Sequence, residues 1–157
     1  MTRELIGASL IALVALVGMF IYRSVVNRRR QQEEFLPAPD SAEIRVPLFE
    51  CFYVATVLAD RPLERVWAHG LGGRGRARVG LSDLGLVIER TGERSIQISF
   101  DAVQNLTRGG ATIDRGVERN GLVQIQWTLG QTTLVTSLRI TSNQEANYRK
   151  LREAVGV

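Results

Sequence analysis

Residues 122–140 read LVQIQWTLGQTTLVTSLRI, and their alternation decides the fold. Val123, Ile125, Trp127 and Leu129 fall at every second position, with Gln124, Gln126 and Thr128 between them. Successive side chains of a strand point to opposite faces, so the pattern predicts a strand with one face against a core and one in water. Gly130 and Gln131 fit a two-residue type II′ turn, which needs a positive φ at its first position. Leu134, Thr136, Leu138 and Ile140 continue the period on the return. Such a hairpin belongs to an antiparallel sheet.

Upstream the same logic finds more strands. Residues 85–90 (GLVIER) and 96–100 (IQISF) flank Thr91, Gly92 and Glu93 and read as a second hairpin. Residues 103–108 predict another strand, and Gly109, Gly110, Gly116 and the pair Asn120 and Gly121 punctuate the next stretch. Residues 46–58 are apolar on both faces, with Phe52, Val54, Thr56 and Leu58 against Tyr53, Ala55 and Val57, as expected of a strand buried on both sides or at a corner. Downstream, Ser142 and Glu145 spell a capping box, and Tyr148, Leu151 and Val155 share one helical face. Arg149, Lys150 and Arg152 occupy other faces near the carbonyl end, where positive charge is favourable. The expectation is an α+β, mainly β domain over residues 44–157, a bent antiparallel sheet or barrel of about seven strands with a C-terminal helix over its open end.

The other end of the chain has a different solvent. Residues 5–22, LIGASLIALVALVGMFIY, carry no charge. As a helix they span about 27 Å, close to the ~30 Å hydrocarbon thickness of a bilayer. A transmembrane helix is therefore predicted over residues 5–23, after a flank of residues 1–4. A cleaved signal peptide would have a shorter apolar region and a small-residue cleavage site, whereas Tyr22 and Arg23 follow directly here. Arg23, Arg28, Arg29 and Arg30 after the segment outweigh Arg3 before it. The positive-inside rule then puts the N-terminus outside and the C-terminal domain in the cytoplasm, as a single-pass protein of the cell membrane with these arginines at its surface. Residues 24–43, basic and then polar with Pro37 and Pro39, read as a linker.

Composition narrows the chemistry. A net charge of +4 over 157 residues is a mild excess, and the run GGRGRAR lacks the interleaved aromatics of a nucleic-acid surface, so no nucleic acid is expected. Cys51 is the only cysteine, which excludes an internal disulfide. His69 is the only histidine, and neither residue has a ligand or base cluster near it in sequence; no catalytic residue, cofactor or metal is predicted. Gly70, Gly72 and Gly75 spell G-x-G-x-x-G, but RARVGLSDLG after them reads as strand and turn instead of a helix, so these are tight-turn glycines. The functional lead is basic. Arg74, Arg76 and Arg78 share one face of a strand, with Arg61 and Arg65 before them across a turn. Guanidinium forks in that arrangement suit the phosphates of anionic lipid headgroups, and a protein partner is the other candidate ligand.

FYVATVLADRPLERVWAHGLGGRGRA at residues 52–77, together with residues 122–140, resembles a family of small actinobacterial single-pass membrane proteins with a PH-like domain. The run R-V-x-A-H-G-L-G at Arg65 to Gly72 is its most specific part. Members of that family are encoded beside pyrimidine-biosynthesis genes such as that of carbamoyl-phosphate synthase. The resemblance implies a PH-like fold with basic residues near the first hairpin and no accepted catalytic residues. It leaves two function classes: a membrane-anchored, non-catalytic PH-like binding or adaptor module at the cytoplasmic face, or an accessory subunit of a membrane transport or export system.

Overall fold

A computed structural model describes residues 2–109 and 122–156, with side chains from residue 6 onward. Helix α1 (Thr2–Phe35) leads into β1 (Val46–Leu58), a 3-10 turn (Ala68–Gly70), β2 (Gly75–Leu81), β3 (Gly85–Arg90), β4 (Ile96–Ser99), a second 3-10 turn (Phe100–Ala102), β5 (Val103–Gly109), β6 (Leu122–Leu129), β7 (Thr132–Ile140) and α2 (Gln144–Val155). The seven strands form one antiparallel sheet in the order β4-β3-β2-β1-β7-β6-β5. The punctuation expected from Gly110, Gly116, Asn120 and Gly121 lies outside the described residues.

The β6–β7 hairpin forms in the expected register. Leu129 pairs with Thr132 across Gly130 and Gln131, and Gly130 has a φ of 61° while Gln131 does not enter the positive region, the combination of a type II′ turn. β1 is the corner. Its pairing slips between Pro47 and Phe49 against β2 and between Tyr53 and Ala55 against β7. Such irregularities bend a strand and let one sheet wrap around its own core. Beyond the bend Ala55, Thr56, Val57 and Leu58 are all buried, so both faces are covered there. Leu151 of α2 enters the core at 0 % exposure with Tyr148 and Val155 packed against it, so the helix closes one side of the bent sheet.

One polar chain runs through this core. The Trp127 indole N–H can only donate, and it meets Thr136 Oγ1 at 2.9 Å. Thr136 and Thr56 hydroxyls are 2.8 Å apart, Thr56 and the Tyr53 hydroxyl 2.5 Å, and Tyr53 reaches the Leu71 carbonyl at 2.9 Å. A pure donor at one end and a pure acceptor at the other fix the direction: Trp127 donates to Thr136, Thr136 to Thr56, Thr56 to Tyr53, Tyr53 to Leu71. Every hydroxyl in the chain is thereby satisfied, and burial pushes the Tyr53 phenol up, which keeps it a donor.

Three expectations are corrected. Residues 24–35 continue α1, because SVVNRRRQQEEF contains good helix formers and no breaker before Pro37, and Arg29 and Glu33 pair at 2.8 Å one turn apart. The segment after the helix is a strap against the sheet: Gln97 N donates to Asp40 O at 2.8 Å, Ser95 Oγ donates to Ala42 O at 2.9 Å, and Ile44 N donates to Glu89 at 3.2 Å. It covers the edge of β4, a position that sheets otherwise have to protect. The capping box does not form either. Asn143 stands at the start of α2 in the left-handed region (φ 47°) without a side-chain cap bond, and Glu145 turns instead to Arg108 at 2.7 Å. Asn147 Nδ2 takes the Ser142 carbonyl at 2.8 Å.

Candidate functional site

The five arginines expected to act together are dispersed. Arg76 and Arg78 lie on the outer face of β2, exposed on either side of buried Ala77, and Arg74 is exposed one residue before the strand. Arg61 sits in the turn beyond the far end of β1, paired with Glu64 at 2.8 Å and Asp60 at 3.4 Å. Arg65 is a staple: its guanidinium donates to the carbonyls of Gly72 at 3.1 Å and Val54 at 3.4 Å and lies 5.8 Å from the Trp67 ring centre. Phe52 pairs with Arg76 whereas the Arg65 backbone bridges β1 at Val57, five residues along and up to roughly 16 Å away, and its guanidinium reaches back only to Val54, where the two carbonyls hold it. Spacing along the chain could not reveal this, because the intervening turn carries Arg61 and Arg65 to the other end of the strand.

Arg76 and Arg78 belong to a different arrangement. Across the outer face, Glu50 of β1 stands opposite Arg78 of β2 and Arg78 opposite Glu89 of β3; next to that row, Arg139 of β7, Phe52 of β1 and Arg76 of β2 stand side by side. Arg78 donates to Glu89 at 2.7 Å, which neutralises one charge. Among the described residues neither Arg76 nor Arg139 forms an ion pair, and Phe52 between them is 37 % exposed. Phe52, Arg76 and Arg78, with Glu50, Glu89, Thr91 and Thr141, line a cavity of about 480 Å³, and Arg139 stands at its side. An exposed aromatic ring between two uncompensated guanidinium groups, with two carboxylates beside it, offers apolar contact, cations and acceptors at once. That mixture suits a peptide surface better than a bare phosphate. Phe52 and Arg139 were missed because each looks like an ordinary strand position; only the register sets them beside Arg76.

The second assembly joins helix to sheet. Gln32, 3 % exposed, accepts from Trp67 N at 2.6 Å and Ala68 N at 3.3 Å and donates to Arg65 O at 3.0 Å. His69 Nε2 lies 2.8 Å from the Leu36 carbonyl, an acceptor only, so Nε2 carries the proton and donates. His69 adopts φ 51° and Gly70 φ 76°, a left-handed pair that aims the ring back at the helix end. Leu36 is buried at 1 %, and Pro37 abuts Gly130 of the β6–β7 turn. The sequence run 65–72 is thus a receptacle for the end of α1. Its glycines serve packing, since a Cβ on Gly72 would lie 2.5 Å from the Trp67 ring. A stripe at Val25, Arg29, Gln32 and Leu36, one helical face, was the available signal for it.

The chemistry of reactive side chains is quiet here. His69 is committed to Leu36, and Cys51 is buried, its thiol pushed up to about 12 by desolvation, far from the thiolate a nucleophile requires. Among the described residues no three His, Cys, Asp or Glu side chains gather as metal ligands would.

The family model described as Bacterial PH domain-like matches residues 32–156. The chain belongs to that family. The bacterial PH domain-like region therefore takes in Gln32 and the end of α1 as well as the sheet and α2. PH-like domains are generally non-catalytic binding modules. No curated protein and no solved structure gives a significant match.

Proposed function

We infer that this protein is a membrane-anchored binding module: α1 holds the PH-like domain at the cytoplasmic face of a bilayer, and the outer groove around Phe52 receives a protein partner. One observation carries the reading. Among the described residues, the apolar half of α1 is exposed, its large side chains from Ile6 to Tyr22 at 48 to 74 %, while the other end of the same unbroken helix is clasped by the domain. An apolar surface of that extent needs a non-aqueous solvent, and a continuous helix transmits its position to whatever is fixed to it. Arg23, Arg28, Arg29 and Arg30 after the apolar run support the cytoplasmic orientation. The groove supplies the binding function, with Arg76 and Arg139 as cation contacts and Phe52 as the apolar anchor. A transport accessory role and a link to pyrimidine-biosynthesis genes rest on the family resemblance alone, and a multi-spanning protein copurifying with the chain would be the observation in their favour.

The test uses the full chain in native membranes. It should resist extraction by alkaline carbonate, and protease should reach the domain in inside-out vesicles only. A photo-crosslinker replacing Phe52 should then yield a discrete adduct that is absent from position 150 on α2 and lost in the Arg76→Gln, Arg139→Gln double variant. Carbonate extraction would end the anchor reading, and equal crosslinking at positions 52 and 150 would end the groove reading.

A further inference from the structure

The turn after β1 lies alongside α1. Arg28 of the helix and Arg61, Pro62, Leu63 and Glu64 of the turn line one cavity of about 380 Å³. The turn therefore reaches back along the helix, about one helical turn nearer the apolar run than the Gln32 clasp. Here α1 serves as a ruler. From Tyr22, the last residue of the uncharged run, to Arg28 the helix rises about 9 Å. The headgroup layer adds about 5 to 7 Å on each side of the hydrocarbon core. The turn thus stands at the outer edge of the headgroups, within a side chain's reach of them.

Leu63 is at this tip, 84 % exposed, against at most 74 % for the large apolar side chains described on α1. A lone leucine on a water-facing turn would carry no meaning. Beside the helix and level with the headgroups it has a partner at hand. Arg61 is already engaged by Asp60 and Glu64, so the turn itself is not a cationic site. The cations come from the helix, where Phe20, Arg23, Ser24, Asn27 and Arg28 line the adjoining cavity.

Resting on the anchor reading above, we propose that Leu63 enters the interfacial layer of the bilayer that holds α1, giving the domain a second membrane contact. The Gln32 clasp joins domain to helix, and the Leu63 contact resists tilting of the domain away from the membrane surface. The pose has a consequence for the groove. Phe52 lies up to roughly 20 Å back along β1 from Leu58, where the strand runs into this turn, so the groove is held away from the lipid and open to a partner.

The experiment places one nitroxide at a time in the full chain, in a Cys51→Ala background, at Val14→Cys, Leu63→Cys or Leu84→Cys. The proteins are reconstituted in vesicles of three parts phosphatidylcholine to one part phosphatidylglycerol. Collision with oxygen, which partitions into lipid, is compared with collision with a water-soluble nickel chelate. Leu84, 70 % exposed in the β2–β3 turn at the opposite end of the sheet, is the aqueous reference. Position 14 should report lipid, and position 63 should meet the nickel chelate several-fold less often than position 84. A label at 63 as accessible to nickel as the label at 84, with 14 still in lipid, overturns the second contact and leaves the anchor standing. Nickel access at 14 overturns both.

Discussion

Replacing Gln32 by Ala removes the side chain that satisfies three backbone groups of the 65–68 loop. Two N–H donors, at Trp67 and Ala68, and one acceptor, at Arg65, lose their partner together. A buried polar group left unpaired costs roughly 1–3 kcal/mol, and Ala68 is wholly buried while Trp67 and Arg65 are half-buried and open to replacement water. The 3.3 Å contact to Ala68 N is also the weaker of the two accepted bonds. A full cost at one group and a fraction at the others gives about 2–3 kcal/mol, which is a factor of roughly 30 to 150 in local opening. Amide exchange of the full chain in micelles reads this directly: the Trp67 and Ala68 amides should exchange faster by that factor, together with the end of α1. Gln31→Ala, one residue earlier and exposed, should leave both amides unchanged. Equal exchange in wild type and Gln32→Ala would refute the clasp, and so would acceleration of the same size spread evenly over the sheet.

Thr136→Val should cost about 1–3 kcal/mol in equilibrium denaturation, because the Trp127 indole N–H loses its acceptor and Thr56 its donor; no loss would mean the directed chain is not formed. Gly72→Ala should destabilise by about 1–3 kcal/mol and quench or shift the Trp67 emission, since its Cβ would sit 2.5 Å from that ring. The Cys51 thiol, with its pKa pushed up to about 12, should stay protonated and unreactive to thiol reagents at pH 8 in the folded chain and react at the ordinary rate in denaturant. Reactivity returns only as pH rises towards the folded value, so prompt labelling at pH 8 would contradict its burial.

Elements whose period matches their surroundings were legible from the chain alone. The β6–β7 hairpin, the β3–β4 hairpin and β1 follow directly from alternation and turn residues, because side-chain direction in a strand is set locally. Residues 5–22 are likewise long and apolar enough to cross a bilayer, a property that depends on no other part of the chain. The polar residues 24–36 misled as a linker because their charge hid a helical stripe whose partners, residues 65–69, lie 33 to 36 positions away. The Ser142 and Glu145 pair misled in the same way: Arg108 on β5 is the stronger partner for Glu145, and only the packed sheet brings it near.

By itself the sequence determined that one end of this protein is apolar enough for a bilayer and that the rest is a strand-rich domain closed by a helix, since burial patterns are written residue by residue. Only the tertiary structure decided which side chains meet. Arg76 finds Phe52 and Arg139, and Arg65 does not join them, because strand register and the corner in β1 set distances that spacing along the chain does not contain.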